Sequence, residues 1–558
     1  MKHQHFFALA IAVFLLLAAL ALPMGRSSGT EGDPPGQPPE GADLPAAAID
    51  LFTTSPVCTS CHQQMTDADG TDVSIDAWWG STMMANAATD PYWQSSVRFE
   101  TEINPHLKPV IEDKCATCHT PMAHFAALQG GEDTGLLDGG FFDPARDVHA
   151  LAMDGVSCAL CHQIEPDNLG SPDSFSGLYL IDADLPQNER RAYSRFEVDE
   201  AGRQVMQAAS GYVPEVGHHI SSAEMCATCH TLYTPYVDDA GEVAGTFPEQ
   251  TPYLEWQQSS YGGAVPCQTC HMPAAQGPVV TSVTGGEPRS PFLTHEFVGG
   301  NAYMMRIFRA HSEELNVAAS AEQFAATEQR ALDQLQREAA ALSIEQAGLS
   351  DTHLTAIVAV APKTGHKFPT GFPSRRAWLH VTLTDAAGEV VFESGAWTEE
   401  GKVVGDDHDA DPARYEPHHA LIRSADEVQI YEAVLGDVNG EVTNVLLRAA
   451  GYLKDNRLLP AGFDKASAHE DTATSGAATD DGDFLGGSDR VIYAMPLNDA
   501  EGPFALEVEL LYQTISYNWA HKLDAHTDMP EAARFLSYYE AQPNLPVVVA
   551  STRVEVSH

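Results

Sequence analysis

All ten cysteines of this chain fall into five copies of C-x-x-C-H: Cys58/Cys61/His62, Cys115/Cys118/His119, Cys158/Cys161/His162, Cys226/Cys229/His230 and Cys267/Cys270/His271. Two thiols followed at once by an imidazole is the pattern of covalent heme c attachment. The thiols form thioethers to the porphyrin vinyl groups, and the histidine supplies the proximal iron ligand. Short disulfides would not require histidine at the next position every time. Structural zinc would need the pairs to combine two by two, and five is odd. The sequence therefore predicts five covalent hemes c, with His62, His119, His162, His230 and His271 as proximal iron ligands.

Heme is attached outside the cytoplasmic membrane, so an export signal is expected. Lys2 precedes an apolar run from Phe6 to Met24, with small residues near Ala19–Ala21 as a cleavage site. Residues 1–25 read as a signal peptide, or as an N-terminal anchor and membrane tether, since the run approaches the ~20 residues of a span. No cysteine follows it to carry a lipid. Residues 26–47, rich in Gly, Pro and Ser, read as a flexible linker. A periplasmic, cell-surface or extracellular location follows. The formal charge of −48, from 78 acidic against 30 basic residues, makes nucleic acid and anionic lipid poor partners. A cationic redox partner, or solubility in salty water, would account for it. The even spread of acids along the chain favours the second.

Past the linker the chain has two unlike halves. Residues 48–317 hold every cysteine and show little periodicity. They read as a mostly helix-and-coil pentaheme domain, organised by burial of porphyrin faces. Residues 318–348 read as a linking helix, with Ser320 as N-cap and Phe324, Leu332, Leu335, Ala339 and Leu342 at helical spacing. Residues 349–558 read as a β-sandwich, with strands at 354–361, 377–384, 389–394, 428–435, 442–449, 491–496, 504–515 and 547–555 and a helical interruption at 516–541. The fold class is α+β and multidomain.

The strings WWGSTMMANAATDPYW (78–93), CATCHTPMA (115–123), DGVSCALCHQI (154–164), MCATCHTLYTP (225–235), EWQQSSYGGAVPCQTCHMP (255–273) and THEFVGGN (294–301) resemble multiheme cytochromes c of the broad cytochrome c-554 type. TGHKFPTGFPSRRAWLH (364–380) and YLKDNRLLPAGF (452–463) look like a β domain that accompanies them. The resemblance implies electron transfer through closely spaced hemes in an exported protein. No C-x-x-C-K motif of the ammonia-forming nitrite reductases occurs, and hydroxylamine-oxidising relatives carry more hemes.

The second axial position of each iron decides between electron exchange and catalysis. Candidate distal ligands are His106, His124, His149, His218, His219 and His295, with Met83 as a thioether alternative. From the β half comes His366, in a loop fixed by Gly365 and Pro369 that could reach into the heme half; His418 and His419 are a weaker version of that idea. Asp480, Asp481, Asp483 and Asp489, among glycines, form a candidate calcium loop centred on Asp481 and Asp483. The expected function is an electron carrier between redox proteins, its irons mostly six-coordinate, rather than a catalyst. The alternative is an oxidoreductase with one open iron acting on a small nitrogen or sulfur species.

Overall fold

The computed structural model describes residues 51–557; the expected signal segment and most of the linker lie outside them. Up to residue 339 the chain is built of helices and long connections, with two small ribbons. One is parallel, β1 (Arg191–Ser194) on β2 (Val213–Val216). The other is antiparallel, β3 (Leu232–Val237) on β4 (Val243–Gln250). Helix Pro91–Ile103 starts at Asp90, whose carboxylate accepts from the amides of Tyr92 and Trp93, an N-cap that satisfies two orphan donors. No helix among the described residues is long and apolar enough to cross a membrane.

From residue 340 onward two sheets face each other. One runs β11 (Gly451–Asp455), β10 (Ile430–Gly436), β7 (Arg376–Thr384), β13 (Phe504–Gln513) and β14 (Val547–Val556), with β8 (Val390–Ser394) on β7. The other runs β5 (Ala340–Leu349), β6 (His353–Pro362), β12 (Asp489–Pro496) and β9 (Leu421–Ile422). Alternate residues point inward, as a pleated strand requires. Leu379, Val381 and Leu383 of β7 and Leu506, Val508 and Leu510 of β13 share one core with Ala356, Val358 and Val360 of β6 and Val491, Tyr493 and Met495 of β12.

Two expected elements differ. The linking helix ends early: Ser320 caps Ala321–Gln334 in a capping box with Gln323, a π turn spans Leu335–Ala339, and β5 follows. The Glu and Gln of 345–346 suit a helix, yet Ala340, Leu342, Ile344, Ala347 and Leu349 follow a period near two and pack on the sandwich core. Burial of that face overrides helix propensity. The segment 442–449 is not a strand but a loop with a 3-10 turn at Leu446–Arg448. There the amides of Leu446 and Leu447 donate to the Glu100 carboxylate of helix Pro91–Ile103 at 2.7 and 3.4 Å. The loop's backbone bonds thus go to the first half instead of to a sheet.

The halves also share a core. Tyr92, Phe99, Phe247, Tyr303, Phe308 and Phe324 from the first pack with Leu435, Ile515, Trp519, Phe535 and Tyr539 from the second. These are large aromatic surfaces, so the sandwich is an integral wall of the first half.

Candidate heme-binding site

Each C-x-x-C-H forms one helical turn. The amide of the histidine bonds the carbonyl of the first cysteine at 3.1 Å in the first motif and 3.0 Å in the third, fourth and fifth, while the second motif closes helix Lys108–His119. Positions i, i+3 and i+4 of a turn lie on one face, so both thiols and the imidazole can meet the same planar group.

All ten thiols and all five histidines line a single connected cavity of about 1320 Å³. None of the cysteines is in a disulfide. Motifs distant in sequence stand side by side: the Cys58 thiol lies beside that of Cys158, Cys118 beside that of Cys229, and Cys226 beside that of Cys267. Cys161 lies close to Cys226 and Cys229.

Four proximal histidines are oriented by backbone. Nδ1 of His62, His119, His162 and His271 meets the carbonyls of Thr281, Ala87, Tyr193 and Val298 at 2.6, 3.0, 2.6 and 2.5 Å. With Nδ1 as donor, the Nε2 lone pair is left for a metal. Trp93 stacks on His119 at 4.1 Å. Burial pushes His119 and His230 down to about 4, which favours the neutral, ligating form.

Two histidines outside the motifs stand across from proximal ones. The ring of His295 lies 6.5 Å from that of His162, and the ring of His366 lies 6.2 Å from that of His271, both near parallel at 19°. Two imidazoles on one iron, with metal–nitrogen bonds of roughly 2 Å and ring centres about 1 Å behind each nitrogen, are about 6 Å apart. His366 Nδ1 meets the Lys367 carbonyl at 2.9 Å, again freeing Nε2. His295 Nδ1 is buried without a hydrogen-bond partner, and burial pushes that ring down to about 3.

The remaining candidates are placed differently. Met83 lines the cavity, its sulfur accepting from Asn301 Nδ2 at 3.4 Å. His124 Nε2 is held by Asp113 at 2.9 Å, His219 Nε2 by the Ile164 carbonyl at 2.9 Å, and the exposed His106 by the Gly241 carbonyl at 2.9 Å. His149 opens into a separate small cleft, and His218 is exposed. None of these five lines the cavity. Their nitrogens have local backbone or carboxylate partners, or face solvent, because sequence proximity to a motif does not turn a side chain toward it. His418 and His419 are far from the motifs: His418 Nδ1 accepts from Gln429 and Asn456 at 2.9 and 3.1 Å.

The calcium expectation also changes shape. Asp483 stays exposed and its amide caps Asp481 Oδ1 at 2.8 Å, so those two carboxylates do not converge. Asp481 and Asp489 instead approach His418. Since His418 Nδ1 is an acceptor, its Nε2 carries the proton and donates to Asp481 at 3.0 Å, which blocks that nitrogen as a metal ligand.

The loop carrying His366 is fixed by a buried ion network that the sequence reading missed. Lys367 Nζ bonds Asp455 at 2.6 Å, Arg457 bonds Asp455 at 2.8 Å and Glu255 at 2.9 Å, and Glu255 accepts from the Lys367 amide at 3.1 Å and the Thr370 hydroxyl at 2.6 Å. All four charged side chains are at most 6 % exposed. Glu255 belongs to the first half, the others to the second. Their signal was present as charges set in the otherwise apolar strings around 367 and 455.

The walls fit porphyrins. Helix Glu200–Ser210 buries none of its residues, yet turns Val205, Met206 and Ala209 to the cavity, a stripe that needs an apolar partner. Arg195, Arg289, Arg330 and Arg375 also line it. Arg330 Nε is buried and unpartnered, suited to a propionate.

No family model and no curated protein matches this sequence. In fold the chain is similar to a penta-heme cytochrome c552 from Thermochromatium tepidum, at 17% identity and a TM-score of 0.50, over 90% of this chain and 98% of that one.

Proposed function

We propose that this chain is an exported pentaheme c-type cytochrome that carries electrons between redox proteins. The observation that carries the reading is the convergence of all five C-x-x-C-H motifs on one cavity, with two further imidazoles at the spacing of a shared iron. The likeness to the penta-heme cytochrome supports it.

When bound, the hemes supply the one-electron iron couple. The protein's residues do the rest. His162 with His295, and His271 with His366, are the pairs that would hold two of the irons and close them to substrate. The neighbouring thiols set the order of the sites: the first motif meets the third, the third meets the fourth, and the fourth meets both the second and the fifth. The fourth site is thus a junction. Wall arginines would anchor propionates, and the acidic surface disfavours nucleic acid.

Mass spectrometry of the mature protein should show five added hemes. Paramagnetic resonance of the oxidised form should show low-spin bis-imidazole signals. Absence of covalent heme overturns the reading.

One observation favours the alternative of an open iron. Among the described residues, the cavity-lining histidines outside the motifs are His295 and His366, which leaves His62, His119 and His230 without a second wall imidazole there. Rapid cyanide binding to the oxidised protein would select this alternative.

A further inference from the structure

The second motif lies against a chamber of polar groups that electron carriage alone does not use. Glu249, at the end of β4, is buried and lines the cavity with Lys114, Glu100, Thr234, Tyr92 and Ser96. The hydroxyls of Tyr92 and Ser96 are buried without a partner of good hydrogen-bond geometry, and the buried Thr234 hydroxyl lies beside the Glu249 carboxylate. Unsatisfied buried hydroxyls mark a place for water or a mobile proton.

Three carboxylates share this wall, but only one is loosely held. Asp90 is committed to its helix cap. Glu100 accepts from two backbone amides. Glu249 has only side-chain partners, its neighbour Gln250 at 3.3 Å and the Thr234 hydroxyl beside it, and makes no ion pair among the described residues. The groups facing it are Glu100 from helix Pro91–Ile103, Lys114 from helix Lys108–His119, Tyr452 from β11 and Lys522. Its charge is felt at Cys115 and Cys118, the thiols of the second motif.

We propose that Glu249 is the proton acceptor coupled to reduction of the heme held by Cys115, Cys118 and His119. This rests on the pentaheme reading above. One electron arrives from the adjacent site through the Cys118–Cys229 contact, taking ferric iron to ferrous. The Glu249 carboxylate takes one proton from water, so the buried charge is unchanged. Reoxidation returns both. Burial, aided by repulsion from Glu100, already pushes Glu249 up to about 7. Loss of a positive charge at the iron raises it further, so uptake falls near and above neutral pH.

The test is a spectroelectrochemical titration of the complete holoprotein from pH 6 to 9. One heme of the unaltered protein should show a midpoint that falls with pH by up to about 59 mV per unit, the one-electron equivalent of a tenfold change in proton activity. Glu249→Gln should flatten that slope and Glu249→Asp should keep it. An equal slope in Glu249→Gln assigns the proton to propionates or another group and overturns the proposal. Should that variant fail to assemble, Glu249→Asp decides: a displaced pH range for the same slope upholds the proposal, and an unmoved range overturns it. The absorbance of the same sample reports heme content, which separates failure here from failure of the pentaheme reading.

Discussion

Replacing Asp455 with Asn removes one negative charge from a buried set of two acids and two bases. Lys367 and Arg457, which Asp455 holds at 2.6 and 2.8 Å, are left with Glu255 alone and one uncompensated positive charge away from water. Removing one partner of such a pair costs about 3–5 kcal/mol. The stress falls on the loop whose His366 ring faces His271 at 6.2 Å. If it is released by lifting that loop, 4 kcal/mol raises the open population by about a thousandfold, at 1.4 kcal/mol per factor of ten. Carbon monoxide binds a bis-imidazole ferrous iron only after one imidazole leaves. Its uptake by the reduced protein should therefore accelerate by up to that factor in Asp455→Asn. Lys454→Met, which breaks the separate buried pair with Glu432 at 2.9 Å, should lower the urea midpoint similarly without changing uptake. Equal uptake rates in both variants, alongside a measured loss of stability, would refute the reasoning.

Other outcomes follow from the same geometry. His366→Ala and His295→Ala should each convert one low-spin iron to high spin in the resonance spectrum, whereas His219→Ala and His106→Ala should convert none. Although burial pushes Asp455 up, Arg457 and Lys367 hold it down to about 2, below the usual carboxylate value of about 3.9. Its stabilising contribution, roughly 2–3 kcal/mol, is complete above about pH 5 and lost as pH falls through 2; urea titrations of Asp455→Asn should be flatter over that interval. A methyl group at Gly365 would stand 3.3 Å from Tyr261 Cγ and 3.4 Å from Trp256 Cδ1. Gly365→Ala should therefore destabilise by about 1–2 kcal/mol, read by denaturant unfolding.

What the sequence discloses here depends on how local the cause is. The C-x-x-C-H turns are closed by their own i to i−4 bonds, so their shape is written in five consecutive residues. Strands β6, β7, β12 and β13 announce themselves by alternation. Strand β5 hides among helix-forming residues, because what makes it a strand is the face of the sandwich beside it. The segment 442–449 looks like a strand, but Glu100, more than 340 positions away, captures its amides. Distal ligation is the least local property. Proximity to a motif singles out His124, His149, His218 and His219, and none of them reaches the cavity wall. His295 and His366 do, one after the last motif and the other from the opposite half. The Glu255–Arg457–Asp455–Lys367 network is equally long-range, assembled from three strings that read separately as unrelated charged spots.

That the cavity wall includes Lys363–Thr364, Gly365–His366, Leu446–Leu447 and Tyr512 bears on how the molecule is made. Covalent attachment, on the pentaheme reading, demands that each pair of thiols be reachable by the machinery that joins them to porphyrin, and the wall residues from the C-terminal half narrow that access. Every one of those pairs leaves the ribosome before any of these later wall residues. On the pentaheme reading, the order of synthesis thus lets the thiols meet their cofactors before the C-terminal half completes the wall around them.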